Sequence, residues 1–480
     1  MERFSLGEPC FIGYHGPMPV PVSSSPDSPK LTRTLGGWQV LFYGLGSMLG
    51  AGIYALIGRA AEQLGNAVWA AFLLAMIAAL LTGLSYASVG SRFPRAGGAA
   101  YISHRAFGWP MLSYVVGLSV TMSGLTSMAT GAQAIAENID KIVAPALPIK
   151  LVAIGFVALL GLLVFWGINE SMKVNIVCTV IEVAGLLFII FVGVRFWGGV
   201  NYLETAHDTV SGGPGSGLAA GLILQGAVLT FFSFIGFEDI LNVSEEVKNP
   251  RRDVPFGLVG AMIGATVIYL AVAITAVSVV PWQELAVSKT PLMEVAHRAA
   301  PWFHGIDGVY IAITIFAIGN TALLNYIMGS RLLYGMSRQS LLPATLGRIH
   351  PGRHTPHFAI MALWVIVVAL ILSGSVKQLA EATVLLLLTV FVIINAALLV
   401  LQRRPNEQPG GFEIPSVIPV AGALVCLLLL VARIQNGFAS GKPELQIAPK
   451  IAIGIIGAAI VLFLTTQRGK TTPPVLDEHL

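Results

Sequence analysis

Four glycines and a serine crowd the stretch GLGSMLGAGIY, residues 44–54: Gly44, Gly46, Ser47, Gly50 and Gly52, with Gly58 close behind. Residues of this kind do chemistry with the backbone. Without a Cβ in the way, an N–H group can approach an anion closely. The spacing Gly46-x-x-x-Gly50-x-Gly52 admits three readings: a nucleotide-cradling turn, a GxxxG helix contact, or a helix weakened until it breaks. A second stretch with the same character is LQGAVLTFFSFIGFEDI, residues 224–240, where Phe232, Ser233, Ile235 and Gly236 interrupt an apolar run just ahead of Glu238 and Asp239. A third candidate for chemistry is a single carboxyl group, Glu182, in the middle of NIVCTVIEVAGLLFIIF.

The elements that hold these residues follow from composition. The 480-residue chain is 55% hydrophobic and 11% charged. A soluble domain carries about 25% charged residues, so water is not the main solvent of this surface and lipid is expected instead. Apolar segments of spanning length recur at 38–59, 67–90, 101–131, 151–168, 172–197, 217–243, 254–280, 305–336, 358–374, 378–401, 415–433 and 448–467, which predicts twelve spans in an all-α polytopic membrane protein. With both termini placed in the cytoplasm, the larger share of the 28 Lys and Arg residues falls on the inner side, notably in SRFPRAGGAAYISHR and NPRRDVP. That is the orientation the positive-inside rule favours. Trp109, Trp197, Trp282 and Trp302 fall near span ends, as an interfacial belt requires.

A dinucleotide loop needs a buried strand before it and a helix after it. The first glycine stretch lies inside an apolar run, so the nucleotide reading fails. Packing through GxxxG is common in membrane helices and explains one or two of the glycines. Each glycine costs about 1 kcal/mol of helix propensity relative to alanine, and four in nine residues is more than one close contact needs. The same kind of interruption in span 6 pairs with span 1, since each opens a set of five spans. Paired broken helices at corresponding positions mark the midplane site of a transporter. A broken helix exposes N–H groups at the start of its second half and carbonyls at the end of its first, so one side suits a carboxylate and the other an ammonium group.

GLGSMLGAGIY, SRFPRAGGAAYISHRAFG, FFSFIGFEDILNVSEEVKNPRRDVP and GSRLLYGMSRQSLLP, in this order, resemble amino acid permeases of the amino acid–polyamine–organocation superfamily over roughly residues 34–400. The resemblance implies a LeuT-like 5+5 inverted repeat with broken helices 1 and 6. It divides the chain into a cytoplasmic tail (1–33), two five-helix repeats (34–200 and 215–402), helices 11 and 12 (412–468) and a C-terminal tail (469–480). It also implies a substrate α-carboxylate on the backbone of Ser47, Gly50, Ala51 and Gly52. The α-amino group would then meet Phe232, Ser233, Ile235 and Gly236, with the Phe232 ring closing over the ligand. The function implied is secondary active amino acid transport across a cell (plasma or inner) membrane. Exchange, transport of cationic amino acids or polyamines, and amino acid sensing without transport remain as alternatives.

Many relatives carry a lysine where this chain has Glu182, so proton coupling through that lysine does not carry over. A carboxyl group inside an apolar span can itself take up and release protons, or it can be a structural group bonded to span 1 or 8. Glu238 is the second candidate for coupling; with Asp239, Glu245 and Glu246 it lies close in sequence to Lys248, Arg251 and Arg252, which suggests ion pairing at the cytoplasmic gate, while Glu245 and Glu246 could equally be solvated loop residues. Span 3 offers Ser119, Thr121, Ser123, Thr126 and Ser127 without a charge, which points to neutral amino acids; the same hydroxyls could serve as interhelical glue. Asn320 and Asn325 of span 8 are further polar candidates. HPGRHTPH brings His350, His354 and His357 together in sequence, but a metal needs converging ligands, and no metal or cofactor is expected. Cys10, Cys178 and Cys426 imply neither disulfide nor metal. With no dense basic run, nucleic acid is not an expected partner; the expected partners are a small amino acid, protons and the bilayer.

Overall fold

The structure is a computed structural model that describes residues 31–142, 148–205, 220–288, 290–373, 376–405, 407–439 and 443–467. Residues 1–30 of the expected N-terminal tail (1–33), the expected C-terminal tail (469–480) and Cys10 lie outside the described residues. Within them the chain is helical, and the one β-type pairing is an isolated bridge between Leu35 and Val247.

The helices are α1 (Gly37–Met48), α2 (Ala51–Leu64), α3 (Val68–Arg92), α4 (Gly98–Phe107), α5 (Pro110–Ile142), α6 (Ile149–Trp166), α7 (Ile168–Gly193), α8 (Ala220–Phe231), α9 (Asp239–Val243), α10 (Pro250–Val279), α11 (Trp282–Val287), α12 (Pro291–Ala299), α13 (Ile306–Arg338), α14 (His357–Ser373), α15 (Val376–Gln402), α16 (Val417–Ala439) and α17 (Pro443–Gln467). Eight helical segments among the described residues are long and apolar enough to cross a membrane. The expected spans absent from that set are the first, sixth, ninth and twelfth. The first and sixth are each cut into two short pieces, and the ninth and twelfth are shorter apolar helices.

One boundary departs from expectation. The third span was expected to start at residue 101, but residues 98–107 form a separate helix and the long helix begins at Pro110. Gly108 ends α4 in the left-handed region (φ +67°) and Pro110 opens α5. This is the glycine stop followed by a proline start that separates two helices.

The outer surface is apolar. Leu159, Phe191, Val267 and Val365 are all more exposed than buried, and they belong to helices α6, α7, α10 and α14 that ring the molecule. Inside, α1 packs against α7, α10 and α13, while α3 and α5 pack against α10 and α13 respectively. The two broken segments are therefore enclosed by unbroken helices. These supply the partners that the freed backbone groups require at membrane depth.

Candidate functional site

Between α1 and α2 the helix stops for two residues. Leu49 remains near helical values (φ −69°, ψ −1°), and Gly50 turns away (φ −61°, ψ −148°). Ala51, Gly52 and Ile53 then form the first turn of α2, whose N–H groups have no carbonyl four residues back to bond. Between α8 and α9 the chain makes a single 3₁₀ turn at Phe232–Phe234, an extended residue at Ile235, and a left-handed glycine at Gly236 (φ +126°). A side chain at Gly236 would be strained whatever space surrounded it.

The two interruptions touch each other reciprocally. A Cβ at Gly236 would sit 2.6 Å from Ser47 Oγ and 2.8 Å from the Ser47 carbonyl atoms. A Cβ at Gly52 would sit 2.8 Å from Ser233 Cα. Each break therefore needs a glycine where the other passes. The Ser47 hydroxyl donates to Asp239 Oδ2 at 2.8 Å, and the Gly236 N–H donates to Glu238 Oε2 at 2.8 Å. The Tyr269 hydroxyl of α10 lies between the Met48 carbonyl and the Ser233 carbonyl, the latter at 2.9 Å, so one phenol proton is shared between a carbonyl of each break.

A cavity of about 70 Å³ opens between these segments. Of the residues expected to bind substrate, Ser47, Gly50, Gly52, Phe232, Ile235 and Gly236 line the cavity, as does Glu238 of the coupling pair. Ala51 is the first residue of α2, and Ser233 stands behind Gly52, its buried hydroxyl without a hydrogen-bond partner among the described residues. Asp239 lines the cavity as well, a role not expected from sequence. The remaining wall comes from α5, α13 and α15. Ser123 and Ser127, one turn apart on α5, face in with Thr321, Asn325, Met328 and Thr383. Thr126 instead shares a 2.6 Å hydrogen bond with Thr383, and Thr121 bonds back to Gly117. The hydroxyls of α5 thus divide between cavity wall and helix contacts.

Glu182 does not line this cavity. It is fully buried on α7, and neither carboxylate oxygen has a hydrogen-bond partner among the described residues. Asn175, Thr179 and Glu182 follow the i, i+4, i+7 spacing of one helix face. Thr179 accepts a hydrogen bond from Asn320 Nδ2 (3.1 Å), and both side chains border Gly46, where a Cβ would meet Asn320 and Asn175 at 2.5 and 2.6 Å. Tyr54 OH, Asn175 Nδ2 and Asn320 Oδ1 are also buried without hydrogen-bond partners among the described residues. A row of unmet polar atoms thus runs along the α7 face beside the first break.

At the end of the bundle where residues 31–35 meet residues 244–248, the ion pairing differs from expectation. Glu246 pairs with Arg331 of α13 (Nε–Oε2 3.0 Å, Nη2–Oε1 3.3 Å), rather than with Lys248, Arg251 or Arg252, and both partners are buried. The Glu246 carbonyl accepts the N–H groups of Thr34 and Leu35 at 2.9 Å each, and Leu35 accepts that of Lys248. Glu245 accepts the Ala96 N–H at 2.8 Å; burial pushes its carboxyl above the usual range. Arg331 lies on span 8 far from Glu246 in sequence, so only the fold brings them together.

Cys178 and Cys426 are buried and free. His350 and His357 stand edge to face at 5.7 Å, and among the described residues no group of three or more His, Cys, Asp or Glu side chains converges as a metal site.

A family model described as amino acid permease matches residues 35–465. The chain is 26% identical to the branched-chain amino acid permease BcaP of Bacillus subtilis, covering 85% of this chain and 90% of that one. It is 28% identical to the methylthioribose transporter of the same organism, over 85% and 89%. It is 30% identical to the vacuolar cationic amino acid transporter 4 of Arabidopsis thaliana, over 81% and 66%.

Proposed function

Because the chain belongs to the amino acid permease family, we propose that it is a secondary transporter that carries an amino acid across a cell membrane by alternating access. The observation that carries this reading is the reciprocal contact of the two helix breaks, Gly236 on Ser47 and Gly52 on Ser233, around one small polar cavity. The α2 N-terminus offers N–H groups to a carboxylate at Gly50, Ala51 and Gly52. Phe232, Ser233 and Ile235 offer the opposite end of the zwitterion its carbonyls. The scheme includes twelve spans arranged as a 5+5 repeat (34–200 and 215–402) with two added helices (412–468), and both termini in the cytoplasm.

The substrate is read as a neutral amino acid. The α5 wall presents hydroxyls, and the two carboxylates at the cavity, Glu238 and Asp239, are already bonded to Gly236 and Ser47. A cationic substrate is the second reading, favoured by that same acidic pair if substrate displaces either bond. Proton symport is read from Glu182, a buried carboxyl with no hydrogen-bond partner among the described residues, and from Glu238 at the cavity itself.

Uptake of labelled amino acids into proteoliposomes, with and without an imposed pH gradient, tests the whole scheme. Concentrative uptake of a neutral amino acid that rises with an inward proton gradient is expected. Counterflow alone would make the protein an exchanger, uptake of lysine or a polyamine alone would select the cationic reading, and binding without flux would make it a receptor.

A further inference from the structure

On the outer face of α10, away from the central cavity, lies a groove of about 630 Å³ lined by Arg251, Arg252, Pro255, Phe256, Val259 and Ile263, and closed on one side by Gly411 and Phe412. Its two ends differ in chemistry. Arg251 and Arg252, in the first turn of α10, are exposed and have no ion-pair partner among the described residues. Asp253, in the same turn, is half-buried and does not line the groove; its Oδ1 lies beside Gly37, which also meets the Phe256 ring. The exposed Lys248 and Arg33 stand nearby in chain order, joined through the Leu35–Val247 bridge. The rest of the groove is apolar, with exposed Phe256 and Ile263 along one side.

Position fixes the level of the groove relative to a membrane. Trp38, largely exposed, meets Phe256 edge to face at 5.4 Å. An exposed tryptophan at the start of a span is an interfacial anchor. Arg252, Phe256, Val259 and Ile263 follow i, i+4, i+7, i+11, one face of the helix. Eleven residues rise roughly 17 Å, about half of a hydrocarbon core of roughly 30 Å. The groove therefore runs from the headgroup level to the middle of the bilayer along one leaflet.

We propose that this groove is a binding site for an anionic phospholipid, whose phosphate is held by Arg251 and Arg252 and whose acyl chain lies along Phe256, Val259 and Ile263. A phosphate gains bidentate hydrogen bonds from guanidinium groups, and an acyl chain gains apolar contact that the exposed side chains otherwise make with bulk lipid. The occupant is bonded to both the 411–412 loop and α10, the helix that carries Tyr269 to both breaks. The proposal rests on the membrane-spanning reading above.

The test is native mass spectrometry of the full chain in detergent, titrated with phosphatidylglycerol or phosphatidylcholine of equal chain length. Retained adducts of phosphatidylglycerol in clear excess over phosphatidylcholine are expected. Arg251→Gln with Arg252→Gln should weaken phosphatidylglycerol binding on the order of thirtyfold, from the usual gain per basic residue at an anionic headgroup. Ile263→Trp, which fills the apolar end and keeps both charges, should also reduce adducts. Equal retention of both lipids, unchanged binding in the double variant, or full displacement by inorganic phosphate would overturn the proposal. A substrate-induced thermal shift measured on the same samples separates the two readings: loss of that shift with lipid binding intact counts against the transport scheme alone.

Discussion

The Gly236 Cα lies against Ser47 with no room for a methyl group, and its φ of +126° belongs to glycine. Both restrictions act at once on one position. Gly236→Ala therefore meets backbone strain of about 1–3 kcal/mol together with a clash against Ser47. The expected outcome is a protein of lowered thermal stability in detergent and without detectable uptake. Wild-type uptake by this variant would show that the breaks need not touch during transport.

Gly52 faces the other half of the same contact. A valine there would drive its methyl groups into Ser233 and over the first-turn N–H groups of α2. Gly52→Val is expected to abolish uptake while the protein is still inserted and folded, because the outer packing of α2 is unaffected. Membrane fractionation followed by uptake checks both halves of that statement. Gly52→Ala should lose most uptake as well, since its Cβ would sit 2.8 Å from the Ser233 Cα, a backbone atom that cannot turn aside.

Tyr269 ties the Met48 and Ser233 carbonyls through one hydroxyl. Tyr269→Phe keeps the ring, including its edge contact with Phe234 at 5.2 Å, and removes the one O–H that the two carbonyls share. The cost is about 1–3 kcal/mol, read as a lower Tm in detergent. Because both carbonyls belong to the breaks, the same variant should change the apparent affinity for substrate as well as stability. A stability loss with unaltered KM would assign Tyr269 to packing alone.

The legibility of this site in the sequence followed from the kind of residue each feature needed. The breaks were visible because glycine and serine in an apolar run are conspicuous, and Ser47, Gly50, Gly52, Phe232, Ile235 and Gly236 do meet at one cavity. Tyr269 was not visible: a tyrosine in an apolar span carries no local sign of the partners it will find on two other helices. Arg331 was invisible for the same reason. Glu246 had three basic neighbours in sequence, and the fold chose an arginine 85 positions away, because α13 packs over the end of α9. Local charge proximity loses to tertiary packing when the acid is buried. The split at Gly108–Pro110 was legible in principle, since both residues are helix punctuation and the polar Ser103, His104 and Arg105 stand just ahead of them.

The Arg331–Glu246 pair is wholly buried, and Glu246 holds the segment at Thr34 and Leu35 through its backbone. Arg331→Ala leaves a buried carboxylate without its partner, a change that costs about 3–5 kcal/mol. The variant is expected to lose thermal stability by that order and to expose that end of the bundle, raising protease cleavage near residues 31–35. Replacing both members together, Arg331→Met with Glu246→Leu, removes the uncompensated charge and should restore most of the stability. If the double variant is as unstable as the single one, the pair's contribution lies elsewhere than in charge.

Glu182 supplies the sharpest separation of coupling from binding. It lies outside the cavity lining, its two oxygens have no partner among the described residues, and Tyr54, Asn175 and Asn320 present unmet polar atoms near it. Glu182→Gln keeps the size and removes the exchangeable charge, so folding and insertion should be unaltered. Facilitated exchange of substrate should persist, while accumulation driven by an imposed pH gradient should fall to the level reached without a gradient. The measurement is paired: counterflow with equal pH on both sides, and uptake with an inward proton gradient. Loss of both would mark Glu182 as structural. Retention of gradient-driven accumulation would transfer the coupling role to Glu238, whose Glu238→Gln variant should then show the same paired signature.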